Sequence, residues 1–435
     1  MSAASNTESS TASGACGIDF GTSNSTAGWS RPGQSTSHSA LLPLEGGKLT
    51  LPSVVFFHAE DSHVSYGRAA LADYLAGHEG RLMRSLKSLL GTSMIDDHTE
   101  VAGRALPFRS LLAQFIGELK RRAEQAAGRP FTRAVLGRPV FFVDDDAKAD
   151  QRAQDTLAQI AHSVGLRDIA FQYEPIAAAF DYESQISREE LVLVVDIGGG
   201  TSDFALIRLG PERAARSERG LDRRDDILAS AGVHIGGTDF DRALSLASVM
   251  PTLGLGSALQ SGLQVPSAHY FNLATWHTIN LAYTKKAWSQ LTALHREACD
   301  KAKLERLLGV VRERAGHWLA LQVEAAKIAL SDADVAQINI GRIAEGESIS
   351  LHRADLNRAI DGLVTSVEQT VARLLSDAGV AAAGIDTVFF TGGSSSVPLL
   401  RQRILALTPQ ARCVEGDLFG SIGAGLALDA RRKFG

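Results

Sequence analysis

The sequence predicts an α/β protein built as two similar lobes that face each other. One motif, an apolar strand ending in Asp followed by a Gly-containing turn with hydroxyl side chains and a second apolar strand, occurs at Asp19 and again at Asp196, 177 residues later. Around both copies, strand patterns alternate with helical ones, which is the signature of an α/β fold. With 435 residues, 45% of them hydrophobic and 21% charged, the chain has ample material for a packed core. At ~150 residues per domain it holds about three folding units.

The elements follow in order. Residues 1–14, rich in Ser and Thr with neither a basic start nor an apolar run, read as a disordered leader rather than a secretory signal. Gly17 to Phe20 and Ser25 to Trp29 form the first hairpin, and Leu51 to His58 a further strand. Helical spacing covers Ala69 to Leu90 and Ser110 to Gln125, the latter stopping near Gly128. Short strands at Ala134 to Leu136 and Ala170 to Tyr173 flank a polar helix, 144–164, that closes at Gly165. A second unit opens at Leu191 with LVLVVDIGGGTSDFALIRL, which reads as a divergent internal duplication of the first hairpin. The charged stretch 211–228 reads as a loop, and 251–272, rich in Gly, Ser and Pro, as irregular. Tyr283 to Leu330 is helical, then come a strand at Ile338 to Ile340, a helix 354–377, a strand Thr387 to Phe390 and a helix Ser421 to Ala430. This divides the chain into lobes at 15–190 and 191–435, the second enlarged over 250–320.

Composition excludes several classes. Forty-four Lys plus Arg against 49 Asp plus Glu leave a net charge of −5, with no basic excess for a nucleic-acid backbone. No run reaches the ~18 to 20 apolar residues that cross a bilayer. Three widely spaced cysteines, Cys16, Cys299 and Cys413, make neither a disulfide framework nor a zinc ribbon, so a cytoplasmic protein without nucleic-acid or membrane partners is expected. The G-x-G-x-x-G and G-x-x-x-x-G-K-[ST] patterns are missing, as are H-E-x-x-H and G-x-S-x-G. The 12 histidines are scattered and read mostly as residues with no ligand role.

Four constellations carry chemistry. Asp19, Gly21, Thr22, Ser23 and Asn24 form one hairpin tip, and Asp196, Gly198, Gly199, Gly200, Thr201, Ser202 and Asp203 the other. Glycines leave room for close approach, so backbone N–H groups and hydroxyls can converge on phosphate oxygens. A strand-terminal Asp beside such a cradle can hold magnesium through its waters. Either hairpin alone reads as an ordinary Gly turn; the pair makes that reading much weaker. Gly236, Gly237 and Thr238 precede a helix capped by Thr238 or Asp239, and Gly392, Gly393 and Ser394 open another with Pro398 in its first turn.

Taken in order, GIDFGTS at 17–23, YEPIAAA at 173–179, VDIGGGTSD at 195–203, GGTDFD at 236–241, EAAK at 324–327 and TGGS at 391–394 resemble the motifs of the actin, sugar-kinase and 70-kilodalton heat-shock chaperone superfamily. The match is strongest to the nucleotide-binding domain of the heat-shock chaperones, over residues 16 to 430, and FQYEP at 171–175 is similar to YegD-type chaperone-like proteins. The resemblance implies an actin-like ATPase fold with ATP or ADP and Mg2+ in the cleft between two lobes. It places Asp19 and Asp196 by the metal, Thr22, Ser23, Asn24 and Gly198 to Thr201 on the phosphates, and Lys87 as the catalytic lysine. Glu174, held extended by Pro175, lies by the attacking water, which Thr201 and Asp203 help to orient. Glu324 and Lys327, three residues apart on one helix face, hold the ribose; without the resemblance they read as a surface ion pair, and Lys87 as a surface lysine on a helix end.

Three departures qualify the expectation. Ile328 and Ser396 stand where the chaperones place the arginines that flank adenine, 86 residues separate Gly237 from Glu324, and the sequence stops where a peptide-binding domain would begin. The expected function is a slow ATPase switch for a protein partner or client. A sugar-type kinase, a nucleotide-dependent filament subunit and a pseudo-ATPase scaffold are the rivals.

Overall fold

The computed structural model describes residues 14–31, 40–60, 63–101, 103–218 and 224–434, so the expected leader lies outside the described residues except for Gly14. Two five-stranded mixed sheets form its centre. In the first, the strands run Asp168–Tyr173, Phe131–Arg138, Gly14–Asp19, Asn24–Gly28, Thr50–Pro52. In the second they run Arg412–Glu415, Thr387–Thr391, Glu190–Ile197, Ser202–Leu209, Ile227–Val233. The pairing senses agree strand for strand: the central hairpin and its outer neighbour are antiparallel, the other two pairings parallel. The duplication read from two Asp-Gly turns therefore extends to whole sheets, in the two-lobed actin-like arrangement.

The helices that end each half are exchanged. Glu174–Glu183 packs Ile176, Ala178 and Ala179 onto Val192, Val194, Ala205 and Ile207 of the second sheet. Ser421–Phe434 packs Leu426 and Ala430 against Val135 of the first. The two cross at Gly425, where a Cβ would overlap the carbonyl oxygen of Ala177, and only glycine permits that approach.

Four expectations are corrected. Leu51 to His58 is two strands: Thr50–Pro52 ends the first sheet, and Val54–His58 is the middle of a separate three-stranded sheet with Val64–Tyr66 and Gly80–Arg84. Ser53 marks the switch, its hydroxyl donating to Gly21 O at 2.7 Å and its N–H to Ser23 O at 2.9 Å. Of Ala69 to Leu90 only Arg68–Leu75 is α-helix; Gly77 takes a left-handed φ of 84°, and the chain returns as the strand Gly80–Arg84. The charged stretch at 211–228 holds a helix, Pro211–Glu218, whose proline begins it rather than breaking it. Glu174 is the first helical residue rather than an extended one; Tyr173 is the extended neighbour, and Pro175 is tolerated in the first turn, where no N–H partner is needed.

The segment after Gly237 contains short helical turns, then Ala268–Ala274, Lys285–Glu297, Lys301–Arg312 and Gly316–Asp332. Its Met250, Leu253, Tyr270, Leu273 and Ile279 are buried in the same core as Leu193, Val195 and Phe204 of the second sheet. Among the described residues no helix is long and apolar enough to cross a membrane, and all three cysteines are free.

Candidate functional site

A cavity of about 460 Å³ opens between the two sheets. The matching positions of the duplicated strands meet there. Asp19 ends Gly14–Asp19, and Asp196 lies one residue from the end of Glu190–Ile197. The two tips touch: a Cβ at Gly200 would come 2.8 Å from Thr22 Oγ1, and one at Gly199 would overlap Ser23 Oγ. Glycine is required because each tip is the other's wall.

Asp19, Gly21, Thr22, Ser23, Asn24, Lys87, Glu174, Asp196, Gly198, Gly199, Gly200 and Thr201 all line this cavity. So do Gly237, Glu324, Lys327, Gly392, Gly393 and Ser394. Three expected residues stand behind the lining. Asp203 faces Asp196 across the hairpin and accepts the Val140 N–H at 2.5 Å. Gly236 fits directly against Gly199, and Thr238 donates its hydroxyl to Gly199 O at 2.8 Å, bracing the tip instead of capping the helix. The cap is Asp239, which accepts the Gly236 N–H at 3.0 Å.

Lys87 lies on a short turn, Leu86–Leu89, launched by Ser85 in a left-handed conformation with φ 58°. Such a backbone costs a residue with a Cβ about 1–2 kcal/mol, and it carries Lys87 into the cavity wall rather than onto a helix surface. Its Nζ lies 2.5 Å from Glu174 Oε1, and both side chains are buried. Burial opposes the ammonium charge, but the carboxylates of Glu174 and Asp19 outweigh it and hold the Lys87 pKa above its ordinary value.

Negative charge is in excess here. Asp19, Glu174, Asp196 and Asp203 are all buried around that single ammonium. Carboxylate oxygens of Glu174, Asp196 and Asp203 lie within 4.8 Å of one another. Burial, then the neighbouring Glu174 charge, push Asp19 and Asp203 each up to about 7, and raise Asp196 well above the carboxylate range. Asp196 Oδ1 and Asp203 Oδ2 are buried without a hydrogen-bond partner. Oxygen-only donors, orphaned and crowded, fit a hard divalent cation such as magnesium.

The excess has a pH consequence. The folded chain holds protons on Asp19 and Asp203 up to about pH 7, whereas unfolded side chains release theirs near 3.8. Folding of the ligand-free chain thus takes up protons on these two groups in that window, so the stability they contribute is fully present below about pH 3.8 and is lost as pH rises through 7. A thermal melt of the ligand-free chain should therefore give a higher midpoint at about pH 6 than at about pH 8.

At the far end of the cavity, Glu324 and Lys327 are not paired with each other. Glu324 receives two hydrogen bonds from the Arg84 guanidinium, at 2.5 and 2.6 Å, and Arg84 also lies over the Trp276 ring at 4.4 Å. Lys327 contacts Asp241 at 2.8 Å and donates to Gly237 O at 3.1 Å. Arg84 belongs to the first half and Glu324, which lines the cavity, to the second, so this ion pair links the two halves beside the cavity. Sequence reasoning missed Arg84, Asp241 and Phe419. The signal for Asp241 was present in the GGTDFD motif; Arg84 stands 240 positions from its partner and had none. Ile328 and Ser396 do line the cavity, and Phe419, half exposed beside Gly393, adds an aromatic face to the lining.

Comparison with known proteins bears on this arrangement. The profile of the family described as Hsp70 protein matches residues 15–247 and 293–429. Chaperone protein HscA of Klebsiella pneumoniae (strain 342) is similar at 29% identity over 438 residues, covering 95% of this chain and 58% of that protein. Chaperone protein HscA of Salmonella typhimurium (strain LT2) is similar at 28% over 439 residues, with the same coverage. The chain thus spans 58% of the length of these curated relatives. The stretch 248–292 lies between the two profile matches.

Proposed function

The chain belongs to the Hsp70 family, and from that premise we propose that it binds Mg-ATP between its two sheets, hydrolyses it slowly, and signals its nucleotide state to a protein partner. One observation carries the reading: two Gly tips close on each other over a buried excess of carboxylates that holds a single, ion-paired lysine.

In this reading, Thr22, Ser23 and Asn24 and the turn Gly198 to Thr201, closed by the Gly198 N–H on Thr201 O at 2.9 Å, hold the β- and γ-phosphates from opposite sides. Asp19 and Asp196 hold magnesium, mainly through water, and when bound it would neutralise phosphate charge. Lys87 offsets the charge that develops on the transferring phosphoryl group. Glu174, fixed by Lys87, orients a water that attacks the γ-phosphorus in line, with Thr201 and Asp203 assisting. The bond to the β-phosphate oxygen breaks, and ADP and phosphate leave. Gly392, Gly393 and Ser394 lie along the α-phosphate and base, and Glu324 and Lys327 by the ribose.

The base is gripped differently from the arginine-flanked pattern. Ile328 and Phe419 offer apolar and aromatic faces, so Phe419→Ala is expected to weaken ATP binding by about tenfold, within the ~1–3 kcal/mol of a base–aromatic stack. A fluorescent-nucleotide titration checks it. Closure rests on the Arg84 to Glu324 bridge. Arg84→Met should speed nucleotide release by about tenfold, because a buried pair broken on one side leaves the other charge unpaired. Stopped-flow displacement reads that rate.

The reading itself is tested by calorimetric titration of the full chain with Mg-ATP and by single-turnover hydrolysis. Binding with slow turnover, indifferent to added sugars or polyols, is expected. Failure to bind would overturn it, and turnover that rises steeply with a polyol would replace the switch by a kinase. The names of the relatives, chaperone proteins, support a chaperone-type role, and a client or co-chaperone protein as partner belongs to this proposal.

A further inference from the structure

A second cluster of ligating side chains lies away from the cavity, on the three-stranded sheet of the first half. His58 ends the strand Val54–His58, and its Nε2 is 3.0 Å from Asp73 Oδ2 on the helix Arg68–Leu75. The His63 ring lies 5.0 Å from the His58 ring, and the His78 ring 5.5 Å from it. One ligand atom from each of His58, His63 and Asp73 falls within 4.8 Å of the others.

The backbone brings these four together. The His58 N–H donates to His63 O at 3.2 Å, which closes the hairpin with the two rings at its base. The His78 N–H donates to Asp73 O at 3.2 Å, which ends the helix with that ring beside the carboxylate. On its other edge His58 pairs with Gly80, two residues beyond His78. Three of the chain's 12 histidines thus converge on one carboxylate within 21 residues, although the sequence alone gave them no ligand role.

We propose that His58, His63, Asp73 and His78 form a site for a borderline transition-metal dication of the zinc type. Imidazole nitrogens with one carboxylate and no thiolate select such ions over magnesium or calcium, which take oxygen. Bonds of ~2.0–2.2 Å at tetrahedral angles put ligand atoms about 3.3 Å apart, so His58, His63 and Asp73 need close by at most roughly 1.5 Å, and His78, whose ring is 5.5 Å from that of His58, swings in on its exposed side chain as the fourth ligand. The bound ion would tie the strand, the hairpin and the helix to one another. Tyr74, next to Asp73, accepts the Trp318 N–H at 3.0 Å and donates to Arg314 O at 3.1 Å, so the tied helix also reaches the second half.

The test uses the full chain, stripped with chelator and titrated with Co2+ and then Zn2+. Because the cavity carboxylates also attract dications, the titration is run in Asp196→Asn as well. The expected result is one equivalent of Co2+ with a nitrogen-rich tetrahedral visible spectrum, displaced by Zn2+ and retained in Asp196→Asn. Affinity should fall at least tenfold in His63→Ala and in Asp73→Asn. His63 is exposed, so its variant tests the site even where an Asp73 variant proves unstable. Absence of that spectrum, or uptake unchanged in His63→Ala, would overturn the proposal.

Discussion

Lys87→Ala is expected to leave Mg-ATP binding within a few-fold of the parent and to cut single-turnover hydrolysis by about 100-fold or more, the loss typical of removing a group that stabilises transferring charge. Four buried carboxylates share this one ammonium, and its Nζ lies 2.5 Å from the carboxylate assigned to orient water. Alanine removes both the positive charge and the group that fixes Glu174. Asp196→Asn should also lower hydrolysis, but for a different reason, the loss of a carboxylate proposed to hold magnesium. The two variants separate in ligand-free stability. Losing the cation leaves Asp19 and Glu174 facing each other uncompensated, so the Lys87 variant should melt lower than the parent. Neutralising Asp196, whose pKa is raised by burial and by Glu174, relieves repulsion, so that variant should melt higher. Hydrolysis unchanged in both would remove this cluster from the chemistry.

The parts legible in the sequence were those written in local pattern. Two Asp-Gly hairpins disclosed the duplication because a close backbone approach needs glycine, and glycine is visible in any sequence. The strand order of both sheets then followed the same topology. The parts that were not legible depend on distance or on context. Ala69 to Leu90 has apolar spacing that suits a helix, yet Gly77 to Gly80 turns the chain and Leu82 and Arg84 belong to a strand, since tertiary pairing with Val54 and Phe56 decides the outcome. That error also put Lys87 on a helix end, when a left-handed Ser85 delivers it to the cavity wall. Arg84 could not be foreseen as the partner of Glu324, because no local rule links positions 240 apart. The histidine cluster was missed for a related reason: its spacing matches no metal motif, and a strand, a hairpin and a helix end bring it together.

Gly425→Val is expected to be the most damaging single substitution for stability, lowering it by about 3 kcal/mol or more and with it the yield of folded chain. Gly425 lies where Ser421–Phe434 crosses Glu174–Glu183, and each of these helices covers the sheet of the opposite half. A side chain there must push against the Ala177 carbonyl, which the helix backbone holds in place, so the strain has no flexible outlet. Separating the helices would also pull Leu426 and Ala430 from Val135, and Ile176 from Val192 and Val194. Gly362→Ala is the control: it lies in the helix Arg353–Asp377 with open space around its Cβ position, and it should be neutral or stabilising by about 0.5–1 kcal/mol. Thermal melts of the two variants read the difference directly. The milder Gly425→Ala adds a functional reading. The crossing ties each half to the other's sheet, so under the proposed switch a methyl there should slow nucleotide exchange more than it alters affinity. A Gly425→Val chain as stable as the parent would mean that the helices separate freely, and the crossing could then not be the fixed base of the cleft.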